Sequence, residues 1–122
     1  MTEVELQSEL MSYADRFVSI ISQAFEDFDA LKPKPDVRQI LLGDLVYSLS
    51  AVYTIAAEPN PQVGLLDMAA VTMLGRIIYE DNMRRRYGKS TEVLVAGFRQ
   101  VEKDIWRIAC LLYTSPSPRD RS

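Results

Sequence analysis

Between Ile40 and Tyr79 the chain carries two long apolar segments separated only by Glu58-Pro59-Asn60-Pro61, and no other feature narrows its folding options as far. Asn60 is a favoured N-cap, because its side-chain oxygen can accept from a first-turn backbone N–H. Pro61 suits the first helical position, where its missing donor would have no partner anyway. The interruption therefore reads as a helix-to-helix turn. Ile40 to Ala57 holds one formal charge, Asp44, and Pro61 to Tyr79 holds two, Asp67 and Arg76. Helices apolar nearly all round are expected to have protein, or lipid, on every side. Running antiparallel about Pro59, they put Asp44 level with Arg76, and Asp67 level with Val52 and Tyr53. We expect an Asp44 to Arg76 contact across this hairpin, with Glu80 one turn beyond Arg76 as a second acceptor. A charge taken out of water without a partner costs roughly several kcal/mol. Asp67 shares a face with Val63, Ala70, Leu74 and Ile78, which places it partly inside with the Tyr53 hydroxyl as its donor. Asp44, Tyr53, Asp67, Arg76 and Glu80 are thus the candidate polar cluster, structural in the first reading and a ligand or proton site in the second.

The segments before and after have a different pattern. Leu6, Leu10, Tyr13, Phe17, Ile20, Ala24, Phe28 and Leu31 recur at three- and four-residue steps, with Ile21 and Phe25 widening the stripe. That periodicity predicts an amphipathic helix from Glu3 to Ala30. Lys32-Pro33-Lys34-Pro35 ends it, and Asp36 with Gln39 three residues on predicts a capping box for the second helix. The third helix should pass through Tyr79 to Tyr87 and stop at Gly88 in a left-handed cap. Arg84, Arg85 and Arg86 would then complement the negative end of its dipole, with contact to an anionic partner as the functional alternative. Ser90 or Thr91, with Glu92 in the first turn, starts a fourth helix whose apolar step runs through Val93, Leu94, Phe98, Val101, Ile105 and Ile108. Trp106 on it wants an acceptor for its indole N–H if buried. Gly43, Gly64 and Gly75 lie inside helices, where each costs about 1 kcal/mol against alanine, so close helix crossings are expected there. Short linkers make consecutive helices antiparallel neighbours. The fold expected is all-α, an antiparallel four-helix bundle of up-down-up-down order over residues 1–109.

From Cys110 the pattern changes. Cys110-Leu111-Leu112-Tyr113-Thr114-Ser115-Pro116-Ser117-Pro118-Arg119-Asp120 resembles the translation of a transposase-type sequencing-library adapter, read after a truncated gene. Residues 110–122 are therefore expected to form a non-native or disordered tail, with the fourth helix cut off at Ala109. The only cysteine lies in that tail, so the rest offers neither a disulfide nor a thiol nucleophile. Met1-Thr2-Glu3-Val4-Glu5 lacks the basic start of a secretory signal, leaving the cytoplasm as the default compartment.

Histidine is absent, which removes the commonest general base and metal ligand together with every triad built on imidazole. Glu26-Asp27-Phe28-Asp29 has the carboxylate spacing of magnesium-dependent helical pyrophosphohydrolases, but the second half of that constellation is missing. The formal net charge is -3, and Met1 to Ala30 holds seven acidic residues against one basic. A nucleic-acid partner calls for the opposite sign over a broad face, so that class is set aside. Ile40 to Ala57 approaches the length of a membrane span, yet Asp44, Asp67 and Arg76 make the hairpin a poor insert.

Asn60-Pro61-x-x-x-Leu65-Leu66-Asp67-Met68, then Glu80-Asp81, then Glu102-Lys103-Asp104-Ile105-Trp106, resembles an uncharacterised family of bacterial all-helical proteins over Gln39 to Ala109. The resemblance implies a bacterial source, a helical fold and a longer natural chain, and it brings no catalytic residues with it. The expectation is a non-enzymatic binding or assembly module, without cofactor or bound metal, whose partner is another protein or a second copy of the chain. The alternatives are a carboxylate-magnesium hydrolase and a membrane-associated helical protein.

Overall fold

The computed structural model describes residues 1–114, and all regular structure among them is helical. Helix α1 spans Glu3–Ala30, α2 Pro35–Ala56 and α3 Pro61–Ile77. A π-helical segment, Ile78–Met83, leads into the short α4, Arg84–Tyr87. A 3-10 turn, Gly88–Thr91, then precedes α5, Glu92–Thr114.

Local chemistry accounts for most of these boundaries. The Thr2 hydroxyl accepts from the Glu5 backbone N–H at 3.1 Å while the Glu5 carboxylate accepts from Thr2 N–H at 3.3 Å, a reciprocal capping box that opens α1. Helix α2 begins two residues earlier than expected, with Lys34 at the N-cap. Pro35 takes the first helical position and Asp36 lies in the first turn, so Asp36 is not the N-cap. The fixed φ of proline is already helical, and Asp36 still gains from the positive end of the dipole. Asn60 caps α3 as expected, accepting from Gln62 N–H at 3.1 Å, with Pro61 following it. Gly88 ends α4 with φ 81° and ψ -162°. Its φ is positive, as only glycine easily permits, but ψ lies outside the left-handed helical well expected for the cap.

Contacts between elements fix their directions. Arg38 reaches back to Asp29 at 2.5 Å and Tyr53 reaches Asp15 at 2.9 Å, so α1 and α2 run antiparallel. Gly64 lies against the Ile55 carbonyl, which sets the α2–α3 register about the Pro59 turn as the sequence suggested. Arg84 pairs with Glu92 and Arg76 with Glu102, so α5 folds back along α3 about Gly88. Arg16 pairs with Asp104 at 2.6 Å, placing α5 antiparallel to α1 as well.

The core lies where α1, α3 and α5 meet. Tyr13, Phe17, Ile21, Phe28, Met68, Phe98, Val101 and Ile105 are all buried. Burying side chains of this size stabilises by roughly 1.5–3 kcal/mol each. Phe98 stacks on Tyr79 at 4.7 Å between ring centroids and meets Phe17 edge-on at 6.0 Å. The Tyr13 hydroxyl lies 2.7 Å from the Thr72 hydroxyl and 3.2 Å from the Val101 carbonyl, joining three helices inside the apolar core. Gly64 and Gly75 sit at close crossings, as expected. A Cβ on Gly64 would lie 3.2 Å from the Ile55 carbonyl oxygen, and one on Gly75 would lie 2.6 Å from Phe98 Cε1. Gly43 faces open space, so close packing is not its explanation.

The tail expectation needs correction at its start. Helix α5 runs through Cys110 to Thr114, and Leu112 packs against the core because it continues the step set by Val101, Ile105 and Ile108. The helix therefore does not stop at Ala109. The remainder of that expectation, Ser115 to Ser122, lies outside the described residues.

Candidate functional site

The two apolar helices face each other, but they are not covered all round. Only 22% of the residues in the most apolar stretch of α2 are buried. Tyr47 is 78% exposed, Leu74 58%, Val46 54% and Ile78 42%. On α2, Ile40, Gly43, Tyr47 and Thr54 fall on one exposed stripe, and on α3 Val63, Asp67, Ala70 and Leu74, continued by Ile78 at the start of the π-helical segment, do the same. These two stripes flank a groove of about 310 Å³ lined by Asp44, Tyr47, Ser48, Val71, Leu74, Gly75, Ile78 and Tyr79. Helix α5 accompanies α3 from the Arg84 to Glu92 pair to Leu112, which borders Leu65 and Leu66. The groove lies on the α2 side of α3.

Charge on this face is of one sign. No lysine or arginine occurs from Gln39 to Gly75, whereas Asp44, Glu58 and Asp67 do. Asp44 and Asp67 are exposed, and neither forms an ion pair among the described residues. The expected Asp44 to Arg76 contact is absent. Arg76 turns to the opposite neighbour, donating from Nε to Glu102 at 2.5 Å and from Nη1 to Glu80 at 3.3 Å. Glu102 lies level with Arg76 in the α3–α5 register and is mostly shielded, so it offers the less solvated acceptor.

Glu80 also accepts from Arg99, which completes an alternating chain Arg99, Glu80, Arg76, Glu102. Arg99, and next Arg76, hold the Glu80 carboxyl below its ordinary value. Glu102, in turn, raises Arg76 above the usual guanidinium range. Exposed Trp106 adds a long contact of 3.5 Å from its indole N–H to Glu102. All four charges are satisfied by one another, the arrangement of a structural ion-pair chain along α3 and α5.

The other candidate residues separate. Asp67 is exposed, because the face it shares with Val63, Ala70, Leu74 and Ile78 turns outward. Tyr53 donates to Asp15 on α1 instead of to Asp67, and that carboxylate raises the phenol above its ordinary value. Arg84 is held by Glu92 at 3.2 Å, while Arg85 and Arg86 are exposed at the end of α4. Glu26 and Asp29 do not assemble a metal site: Asp29 is taken by Arg38, and no group of three ligating side chains converges among the described residues.

Tyr79 escaped the sequence reading. It is 3% exposed and lines the groove, and its hydroxyl is buried with no hydrogen-bond partner among the described residues. Burial, and next the charge of Asp44, push the phenol well above its usual range. A buried hydroxyl without a partner forfeits its hydration without a replacement, which costs about 1–3 kcal/mol. The signal available in sequence was the α2–α3 register, which puts Asp44 close to Tyr79 as well as Arg76. No family model, no curated protein and no solved structure matches this chain.

Proposed function

We propose that the chain is a non-enzymatic binding module, built as an antiparallel up-down-up-down four-helix bundle, that docks a protein partner on the outward face of α2 and α3. The observation that carries this reading is the pair of exposed apolar stripes centred on Tyr47 and Leu74, with the groove between them. Large contiguous apolar surface on a folded domain marks an interaction site more often than it marks idle surface. The uniformly acidic character of the face weighs against nucleic acid. A bacterial origin and a natural chain longer than the helical part belong to the same proposal, on the resemblance of the Asn60-Pro61 and Glu102 to Trp106 segments described above. So do a non-native origin for residues 110–122 and a cytoplasmic location.

The test is urea unfolding of Tyr47→Ser and Leu74→Ser beside Leu45→Ser. A face reserved for a partner can be made polar with little change, within about 0.5 kcal/mol, whereas the buried Leu45 costs several. If the two face substitutions cost as much as Leu45→Ser, the face is internal to the folded chain and the reading fails.

Membrane association is the second reading, favoured by the same uncovered stripes and by the length and apolarity of Pro35–Ala56. Asp44 and Asp67 stand against it, since each would need its charge neutralised or kept in water. Flotation with phosphatidylcholine and phosphatidylglycerol vesicles separates the two. Retention on lipid that Leu74→Ser abolishes would replace the protein partner with a bilayer.

A further inference from the structure

We infer that the end of the bundle carrying Lys32, Lys34, Arg85, Arg86 and Lys89 docks end-on to an anionic bilayer surface, with Leu31 entering the headgroup layer. This goes beyond the protein-docking reading, does not rest on the α2–α3 face, and leaves that face free.

The helix register brings these residues to one end. Where α1 crosses α5, a Cβ on Gly97 would lie 3.0 Å from Ala24 Cβ. Lys32 is eight residues beyond Ala24 and Lys89 eight residues before Gly97, so the antiparallel pair carries both to the same end. Helix α2 starts there, because Arg38 pairs with Asp29, and α4 finishes there, because Arg84 pairs with Glu92. Lys32, Lys34, Arg85, Arg86 and Lys89 are exposed, and none forms an ion pair among the described residues. Of the nearby carboxylates, Asp29 and Glu92 are taken by Arg38 and Arg84. Asp36 remains at that end, with Glu26, Asp27 and Asp81 lower on their helices. Leu31, next to Lys32, is 55% exposed.

Lys32 adds an independent sign. It follows the C-cap Leu31 of α1 with φ 53°, the left-handed conformation that glycine adopts at least cost. The chain therefore holds a lysine where its Cβ is strained, and keeps a charge at the end that already carries four others.

The charge distribution selects the occupant. Glu3 and Glu5 stand at the other end of α1, and Glu58 lies at that end too, beside Gly64 and Leu10. Helix α1 has 28 residues and is about 42 Å long, several times the screening length of about 8 Å at physiological salt. An anionic plane at the basic end thus meets five cations while the far acids are screened, although the net charge is -3. Cations from three chain segments around an exposed leucine suit an extended anionic surface with an apolar layer beneath it. Inorganic phosphate would leave Leu31 in water. The exposed stripes of α2 and α3 run along the bundle axis, so they stand upright from such a surface and stay accessible.

The test is flotation of the full chain with vesicles of phosphatidylcholine and phosphatidylglycerol, with phosphatidylcholine alone as control. The expected result is retention only where phosphatidylglycerol is present, lost as salt is raised. Each cation removed should weaken retention about fivefold, and Arg85→Gln with Arg86→Gln together about 25-fold. Lys32→Gly should raise the thermal midpoint and still weaken retention about fivefold, whereas a lysine serving only the helix dipole would leave retention unchanged. Leu74→Ser should float as wild type does. Brominated lipid should quench a tryptophan introduced by Leu31→Trp in a Trp106→Phe background, and should not quench Trp106 in the wild type. Retention that is absent, equal on phosphatidylcholine alone, unchanged by Arg85→Gln with Arg86→Gln, or abolished by Leu74→Ser overturns the inference. So does quenching of Trp106, or binding to duplex DNA or inorganic phosphate without retention on vesicles. The protein-docking reading falls only with the unfolding result at Tyr47 and Leu74, so the two failures are distinguishable.

Discussion

Replacing Gly75 and Gly43 by alanine should shift stability in opposite directions, although both glycines lie inside helices of similar composition. At Gly75 the new methyl carbon would start 2.6 Å from Phe98 Cε1 and 2.9 Å from Cδ1, well inside van der Waals contact. Phe98 has little room to yield: it is 1% exposed, stacked on Tyr79 at 4.7 Å and set edge-on to Phe17 at 6.0 Å. Forcing a methyl into such a place costs about 1–3 kcal/mol, against which alanine recovers about 1 kcal/mol of helix propensity. The net expectation is a loss of up to roughly 2 kcal/mol. At Gly43 nothing lies within 4 Å of the added atom, so only the propensity term acts and stability should rise by about 0.5–1 kcal/mol. Urea unfolding monitored by circular dichroism measures both on the same scale. The combination of Gly75→Ala with Phe98→Leu should recover part of the loss, since removing the ring edge removes the clash. If Gly75→Ala is as stabilising as Gly43→Ala, the close crossing of α3 and α5 at Phe98 is wrong, and with it the register that brings Arg76 to Glu102.

Three further outcomes follow from hydrogen bonds and charges already described. Tyr13→Phe removes the hydroxyl that bridges Thr72 and Val101 and should cost about 1–2 kcal/mol in urea unfolding, more than a surface Tyr47→Phe. Asn60→Ala removes the acceptor for Gln62 N–H and should lower stability by about 1 kcal/mol, with Asn60→Asp recovering most of it. The Glu80 carboxyl is held below its ordinary value of 4.5 by Arg99 and Arg76, so its contribution is fully present above that value and is lost as pH falls through the lower folded-state value. Wild type should therefore exceed Glu80→Gln in stability at neutral pH, and the gap should close on acidification; a gap that widens in acid contradicts the assignment.

Much of the architecture could be read from residue order, and its failures have one physical origin. The limits of α1, the Asn60 cap and the α2–α3 register follow from periodicity and local hydrogen bonding, which depend on neighbouring residues alone. Periodicity also grouped Asp67 correctly with Val63, Ala70, Leu74 and Ile78, but grouping residues on a face does not say which way that face turns. Helix α3 has two apolar sides, and the inward one carries Leu65, Met68 and Thr72. Arg76 was misassigned for a related reason. It lies level with Asp44 in one register and with Glu102 in the other, and only packing decides between them. In the groove itself, Asp44 was legible as a charge among apolar residues. Tyr79 was not, because an unpaired hydroxyl leaves no trace in composition. The disorder expected from Cys110 onward fails for residues 110–114, because a change of character in the string outweighed the apolar step that Leu112 continues.

The π-helical stretch from Ile78 to Met83 has a consequence for how this chain tolerates changes of length. There the Arg84 N–H reaches the Tyr79 carbonyl, five residues back, so the turn holds more residues than an ordinary helical turn. Deleting one residue inside it would restore regular winding, and because the wide turn fits its extra residue into about one rotation, everything that follows would keep nearly the same bearing around the helix axis. Arg84 would then stay on the side of Glu92, and the residues beyond the deletion would keep their inward or outward facing. A single deletion between Ile78 and Met83 should accordingly be tolerated better than one in the regular turns of α3, where the same loss would turn Leu65, Met68 and Thr72 away from the interior.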